Sequence, residues 1–208
     1  MSKYLLFLFL IVFSTGKAQE DKMTISEVEI LKKEVHKRAQ ELKTITSTFI
    51  QLKHIDFLSN DIKSSGDLYF KSPNIIKWSY TKPYEYSVIF KNKSLYINDA
   101  GKKSDINLTS NKIFRNLNDL IVKSVSGNML DDPQFLTEFY KLDGFYVATM
   151  KPIDKTLSTL FTEIILNFNI QTFLVEKVLL VESSGDYTLI KFDNIDINNT
   201  IPDAIFAH

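Results

Sequence analysis

Cysteine is absent from this 208-residue chain. That excludes disulfides, thiolate metal sites, a cysteine nucleophile and any lipid attached through sulfur, so the chain is not expected to be a lipoprotein itself. Net charge is lacking too. Lys+Arg and Asp+Glu both number 25, which leaves no electrostatic basis for a nucleic-acid partner. Glycine is scarce, at 6 residues, and no glycine-rich phosphate loop or Gly-x-Ser-x-Gly elbow occurs. The histidines, His36, His54 and His208, have no metal-ligand spacing and form no His-Glu-x-x-His. Asp131-Asp132 stands before Pro133 and reads as a helix cap rather than a catalytic pair, and Asp186, Asp193 and Asp196 read as solvated strand positions. With no constellation for chemistry, no catalytic residue, metal or cofactor is assigned. The expectation is a protein that is not an enzyme.

What the chain has in quantity is large apolar side chains, 16 Phe and 9 Tyr among them. The first such run follows Lys3, from Tyr4 to Phe13, and Gly16-Lys17-Ala18 supplies small residues where a signal peptidase reads. The run is about half the ~20 residues that span a bilayer. Residues 1–18 are therefore expected to be a signal peptide, leaving an exported, periplasmic domain over 19–208. Loss of Lys3 and Lys17 would leave 23 basic against 25 acidic residues, a mature charge of about −2.

One amphipathic helix opens that domain. Val28, Leu31, Val35, Ala39 and Leu42 recur at helical spacing, with a capping box at Ser26/Glu29 or at Thr24/Glu27. From Thr44 the period becomes two. Strands are predicted over 44–55, 66–71, 75–80, 84–91, 95–99, 104–108, 145–150, 163–168, 174–182 and 187–198. Pro73, Pro83, Asn92-Lys93 and Ala100-Gly101 mark turns short enough to make the neighbours antiparallel. Between the two groups of strands, Ile113, Leu117, Leu120, Ile121 and Val125 predict a second helix ending at Gly127. Pro133, Phe135, Leu136 and Phe139 predict a third. An antiparallel sheet of about ten strands curls as its twist accumulates. The fold class is mainly β (α+β): a single curled, incomplete antiparallel barrel with its concave face covered by helices. The apolar parity of the strands could fill a packed core or line a cavity. Periodicity alone does not separate the two, and the packed core is the plainer choice.

The stretch Gly66-Asp67-Leu68-Tyr69-Phe70-Lys71-Ser72-Pro73-Asn74-Ile75-Ile76-Lys77-Trp78-Ser79-Tyr80-Thr81-Lys82-Pro83 resembles the signature hairpin of the LolA family of periplasmic outer-membrane lipoprotein carriers. Phe49-Ile50-Gln51 is similar to the family's Phe-x-Gln, and Lys93-Ser94-Leu95-Tyr96-Ile97 to its next hairpin. Val147 to Pro152 and the ending Ile195 to Phe206 match more loosely. The resemblance implies an incomplete barrel with a helical lid over an apolar cavity that takes acyl chains. On that footing the cavity replaces the packed core. Its wall is expected to comprise Phe49, Leu68, Phe70, Ile76, Trp78, Tyr80, Val88, Phe90, Leu95, Ile97, Leu166 and Phe168, and its lid Ile113, Leu117, Leu120 and Ile121. Ser72 stands where many members carry an Arg that helps to latch the lid, which implies closure on apolar contacts here. The chain reaches His208 soon after Phe206, which implies that the extra C-terminal strand of some members is missing or very short.

The function implied is a monomeric shuttle for acylated lipoproteins or lipids, working between an inner-membrane releasing transporter and an outer-membrane acceptor. The alternative is a carrier or sensor of another lipid or hydrophobic product on the same fold. A small outer-membrane barrel is disfavoured by the helices and by charges on both strand parities.

Overall fold

In a computed structural model, the chain is described over residues 21–108, at Lys123 and over 127–208. Helix α1 (Ile25–Glu41) opens it, capped at the alternative start. The Glu27 carboxylate accepts from both the backbone N and Oγ1 of Thr24, each at 2.9 Å, and Ser26 lies inside the helix. The expected stripe is the buried one. Leu31 and Val35 are almost fully enclosed, and Leu42 just beyond the helix is buried too.

Among the described residues, twelve strands follow one another as β1 (Asp21–Lys22), β2 (Thr44–His54), β3 (Ile62–Lys71), β4 (Ile75–Lys82), β5 (Tyr86–Lys91), β6 (Ser94–Asp99), β7 (Lys102–Asn107), β8 (Phe135–Leu142), β9 (Phe145–Pro152), β10 (Phe161–Asn169), β11 (Val175–Glu182) and β12 (Tyr187–Ile197). They form one antiparallel sheet in the order β1-β8-β9-β10-β11-β12-β2-β3-β4-β5-β6-β7. The sheet is open, with β1 and β7 as its edges. A four-residue helix α2 (Lys155–Ser158) is capped by Asp154, whose Oδ1 accepts from the backbone N of Thr156 and Leu157.

Ten of these strands match the expected ones. The correction concerns the third helix: residues 135–142 form strand β8, paired with β1 and β9. Phe135 and Phe139 are four apart, a spacing that serves one helix face and one strand face equally. The deciding signal is Asp143-Gly144, with φ of 25° and 80°, which closes the β8–β9 hairpin as a two-residue turn. Asp132 does cap locally, but into that strand: its Oδ1 accepts from the backbone N of Gln134 at 3.0 Å. The second expected helix, with the lid residues Ile113, Leu117, Leu120 and Ile121, lies outside the described residues.

Register places the apolar sets in rows across the concave face. Ile45, Phe70, Ile76, Phe90 and Leu95 face one another across β2 to β6. The next row is Ser47, Leu68, Trp78, Val88 and Ile97, and the third is Phe49, Gly66, Tyr80 and Tyr86. The first row packs with Leu42 and Leu108. A second core joins α1 to β8, β9 and β10 through Leu31, Val35, Phe139, Met150, Leu166 and Phe168.

Candidate functional site

The two cores do not meet. Between them lies a cavity of about 450 Å³, within the ~300–1,000 Å³ of small-molecule sites. Its walls come from strands remote in the sheet: Val88 on β5 and Leu95 on β6 share it with Leu166 and Phe168 on β10. Strands β10 and β6 are seven places apart in the sheet, and a flat sheet would hold them about 34 Å apart at ~4.8 Å per strand. The sheet is therefore strongly curled. Bulges in β12 between Asp193 and Asp196, and between β3 and β4 beside Gly66, are irregularities of the kind that bend a strand. Within the curl, Trp78 of β4 approaches Phe192 of β12, three strands away, with ring centroids 5.8 Å apart.

Nine of the twelve expected wall residues line the cavity: Leu68, Trp78, Tyr80, Val88, Phe90, Leu95, Ile97, Leu166 and Phe168. Phe49, Phe70 and Ile76 share their face but lie one layer deeper. Phe70 and Ile76 belong to the packed first row. Phe49, 1% exposed, supports the wall from behind, with its ring 4.6 Å from Trp78 and 5.2 Å edge-on to Tyr80. Gly66 permits that cluster. It lies between Phe49 and Tyr80 in the row, and a Cβ there would stand 1.9 Å from the Ser79 carbonyl oxygen.

Sequence reasoning missed whole elements of the wall. Val35, Ala39 and Leu42 bring α1 onto it, and Val178, Leu180, Ile190 and Phe192 add β11 and β12. Ile190 and Phe192 alternate with Lys191 and Asp193, a parity signal that could have found them. Val178-Leu179-Leu180-Val181 is apolar on both parities and carries no such signal.

Polar side chains on the wall are few. Gln51 Oε1 accepts from Tyr80 Oη at 2.9 Å. Burial raises the Tyr80 phenol above its ordinary value, and the neighbouring Trp78 indole and Gln51 amide offset part of the rise. At the helix, Arg38 donates through Nε to the Thr172 carbonyl at 3.1 Å, tying α1 to the β10–β11 turn. Ser72 is exposed; its backbone N donates to the Lys43 carbonyl at 2.8 Å and joins the β3–β4 turn to the end of α1. His54 pairs with Asp61 at 2.8 Å and stacks on Tyr187, a hairpin-end contact remote from the cavity wall.

A curled open sheet with an apolar interior is the architecture expected of one family, and the model for outer membrane lipoprotein carrier protein LolA matches residues 40–208. The chain belongs to the LolA family. Two curated relatives are named outer-membrane lipoprotein carrier protein. That of Pseudomonas fluorescens (strain Pf0-1) is 27% identical over 166 residues, covering 79% of this chain and 77% of the relative. That of Pseudomonas putida (strain GB-1) is 26% identical with the same coverage. Among solved structures, an uncharacterized conserved protein from Thermus thermophilus superposes with a TM-score of 0.55 at 7% identity. It covers 88% of this chain and 94% of that one, which is a likeness of fold. The LolA signature read at Gly66 to Pro83 is thus the β3–β4 hairpin, the element that carries Trp78 and Tyr80 into the cavity.

Proposed function

We propose that this protein is a periplasmic carrier that takes acyl chains of lipoproteins into the cavity and moves them from the inner to the outer membrane. The observation that carries the reading is one apolar cavity lined jointly by strands seven places apart and by α1. Withdrawing a chain of ~14 methylenes into water costs about 11 kcal/mol at ~0.8 kcal/mol per group. A carrier must present comparable apolar surface, and the wall is built almost wholly of Leu, Ile, Val and aromatic side chains.

The cargo chain lies against Trp78, Val88 and Phe90 on one side and Leu166 and Phe168 on the other, and no covalent step is assigned to the site. An inner-membrane transporter would load it and an outer-membrane acceptor would unload it, as the carrier names of the curated relatives suggest. Residues 1–18 are the export signal in this reading. Fluorescent acyl ligands should bind the purified mature protein and shift the emission of Trp78, the only tryptophan. Lipidated protein should co-purify from the native periplasm, and N-terminal sequencing should begin at Gln19 or Glu20. A folded protein that takes up no acyl ligand would remove the basis of the proposal. Recovery of a free lipid instead of lipoprotein would favour a LolA-type carrier of other hydrophobic cargo.

A further inference from the structure

Strands β11 and β12 separate before either of them ends. Their ladder runs from Val181↔Tyr187 to Lys177↔Lys191, while β11 begins two residues earlier, at Val175, and β12 continues to Ile197. The register would next bring Val175 opposite Asp193, and no such pair forms. At the same place β12 bulges against β2, between Asp193 and Asp196, and Asn194 takes a φ of 53°. A bulge bends its strand and interrupts pairing, so the sheet opens between β11 and β12 at this end.

A second cavity, of about 230 Å³, lies in the opening. It shares Leu174, Phe192 and Ile195 with the main cavity, so these three apolar side chains stand between the two spaces. Beyond them the lining turns polar, with Glu176, Asp193 and Asn194 joined by Thr172 of the β10–β11 turn. Glu176 accepts from Asn169 Nδ2 through Oε1 at 2.9 Å, which leaves its second carboxylate oxygen. Among the described residues no group donates to the Asp193 carboxylate; only its backbone carbonyl accepts, from Thr48 Oγ1 at 3.1 Å. Arg38, which lines the main cavity, donates to the Thr172 carbonyl and holds α1 at the same edge.

An acylated cargo has one end that must stay wet, because a polar head drawn into an apolar cavity loses its hydrogen bonds to water. A carrier therefore needs a place where apolar wall passes into polar side chains and solvent. We propose that the opening between β11 and β12 is the head-group seat of this protein. The hydrocarbon lies in the main cavity and passes Leu174, Phe192 and Ile195, and a head bearing N–H or O–H donors rests on Glu176 and Asp193. The inference rests on the acyl-carrier reading and deepens it by assigning the side from which cargo protrudes. Such donors occur both on the acylated amino terminus of a lipoprotein and on the amino or glycerol head of a free lipid.

The natural absence of cysteine makes the test direct. D193C places a single thiol at the seat, and D99C places one on β6, five places along the sheet from β12. Both aspartates are exposed, so neither change disturbs packing. Each variant of the mature protein is labelled with bimane and mixed with three amphiphiles carrying a nitroxide quencher. These are a dipalmitoyl-S-glycerylcysteinyl peptide labelled on the peptide, a palmitoyl lysophospholipid labelled on its head, and an octadecanoate labelled near its chain end. Binding is followed separately by the emission of Trp78. Head-labelled probes should extinguish the bimane at D193C and spare it at D99C, and the chain-end probe should spare D193C. Quenching by the peptide alone would identify the lipoprotein amino terminus as the source of the head, and quenching by the lysophospholipid alone a free lipid; either supports the seat. Head-labelled probes that bind without quenching D193C, or that quench both positions alike, would overturn the seat and leave the carrier reading intact. If none of the three binds to folded protein, the carrier reading fails and the seat with it.

Discussion

Replacing Gly66 by alanine should damage this fold more than any surface change of equal size. A Cβ at that position would lie 1.9 Å from the Ser79 carbonyl oxygen and 2.8 Å from the Tyr80 Cα. Normal C···O contacts begin at ~3.3 Å, so the overlap is about 1.4 Å. Both obstacles are backbone, and backbone in the middle of a paired sheet cannot rotate aside as a side chain can. Strands β3 and β4 must separate locally, which would break about two ladder hydrogen bonds at ~1 kcal/mol each. The same movement would part Phe49, Trp78 and Tyr80, whose contacts span Gly66 and are worth ~0.5–1.5 kcal/mol per ring pair. The total is about 3 kcal/mol, the upper part of the ~1–3 kcal/mol range for inserting a methyl group into a packed site. With m of ~2 kcal/mol/M, the urea midpoint should fall by about 1.5 M. Ser65→Ala is the control, since its side chain is only half-buried on the neighbouring position. A shift of less than ~0.5 M for Gly66→Ala at unchanged m would refute the claim that this close approach shapes the hairpin.

Phe49→Ala should cost about 3–5 kcal/mol because the ring is enclosed on all sides, whereas Val88→Ala, facing open cavity, should cost about 1 kcal/mol; equal costs in urea denaturation would mean that the two sites do not differ in packing. The Lys141 ammonium and the Thr24 N–H and hydroxyl hold the Glu27 carboxyl down to about 2, from 4.5. A depressed carboxylate stabilises fully above its unfolded value and loses that contribution as pH falls through its folded one. The start of α1 should therefore loosen between about pH 4.5 and 2, with faster amide exchange over residues 24–28, and Glu27→Gln should remove that pH dependence. Burial opposes the charge on Asp132, but Lys123 at 2.5 Å and the Gln134 N–H more than offset it. Asp132→Ala should then destabilise by about 2 kcal/mol and Asp132→Asn by less, since the amide oxygen can still accept from Gln134; a ranking in the opposite order in thermal melts would argue against that role.

Much of the fold was legible because strand parity and turn chemistry agree. Leu68 and Phe70, Ile76 to Tyr80, Val88 and Phe90, and Leu95 and Ile97 alternate cleanly, and Asn92-Lys93 and Ala100-Gly101 both adopt the positive φ that a tight hairpin turn demands. Two strands escaped for different reasons. Strand β1 is two residues long and exists only through its pairing with Tyr140 and Lys141, so nothing local announces it. Strand β8 was hidden by an apolar spacing shared between helix and strand, although the Asp143-Gly144 turn beside it carried the answer. Ser47 was invisible for a third reason. In Thr44-Ile45-Thr46-Ser47-Thr48 it reads as one more small polar residue, and only its 6% exposure separates it from Thr48, which faces solvent.

Whether the interior is filled or empty belongs to a different level of description from secondary structure. The rows headed by Ile45 and by Ser47 contain the same kinds of side chain two residues apart. Phe70 and Ile76 of the first row pack solidly with Leu42 and Leu108, while Phe90 and Leu95 at its far end and most of the second row border open space. What differs is distance across the curl. Where the curl is tight, as between Trp78 and Phe192, side chains meet; where it is wider, Val88 and Ile97 pack against their own row and border the cavity. That width is set by twist and by the bulges at Asp193/Asp196 and at Ser65/Gly66, small irregularities in register that hydrophobic periodicity does not record. A cavity of this kind survives because each wall strand is held by its ladder neighbours. The strands cannot collapse onto one another without breaking backbone hydrogen bonds, whose loss in an apolar interior would cost more than the contact would gain. The sheet thus keeps apolar surface apart that would otherwise associate, and an acyl chain entering from outside makes the contacts that the two walls cannot make with each other.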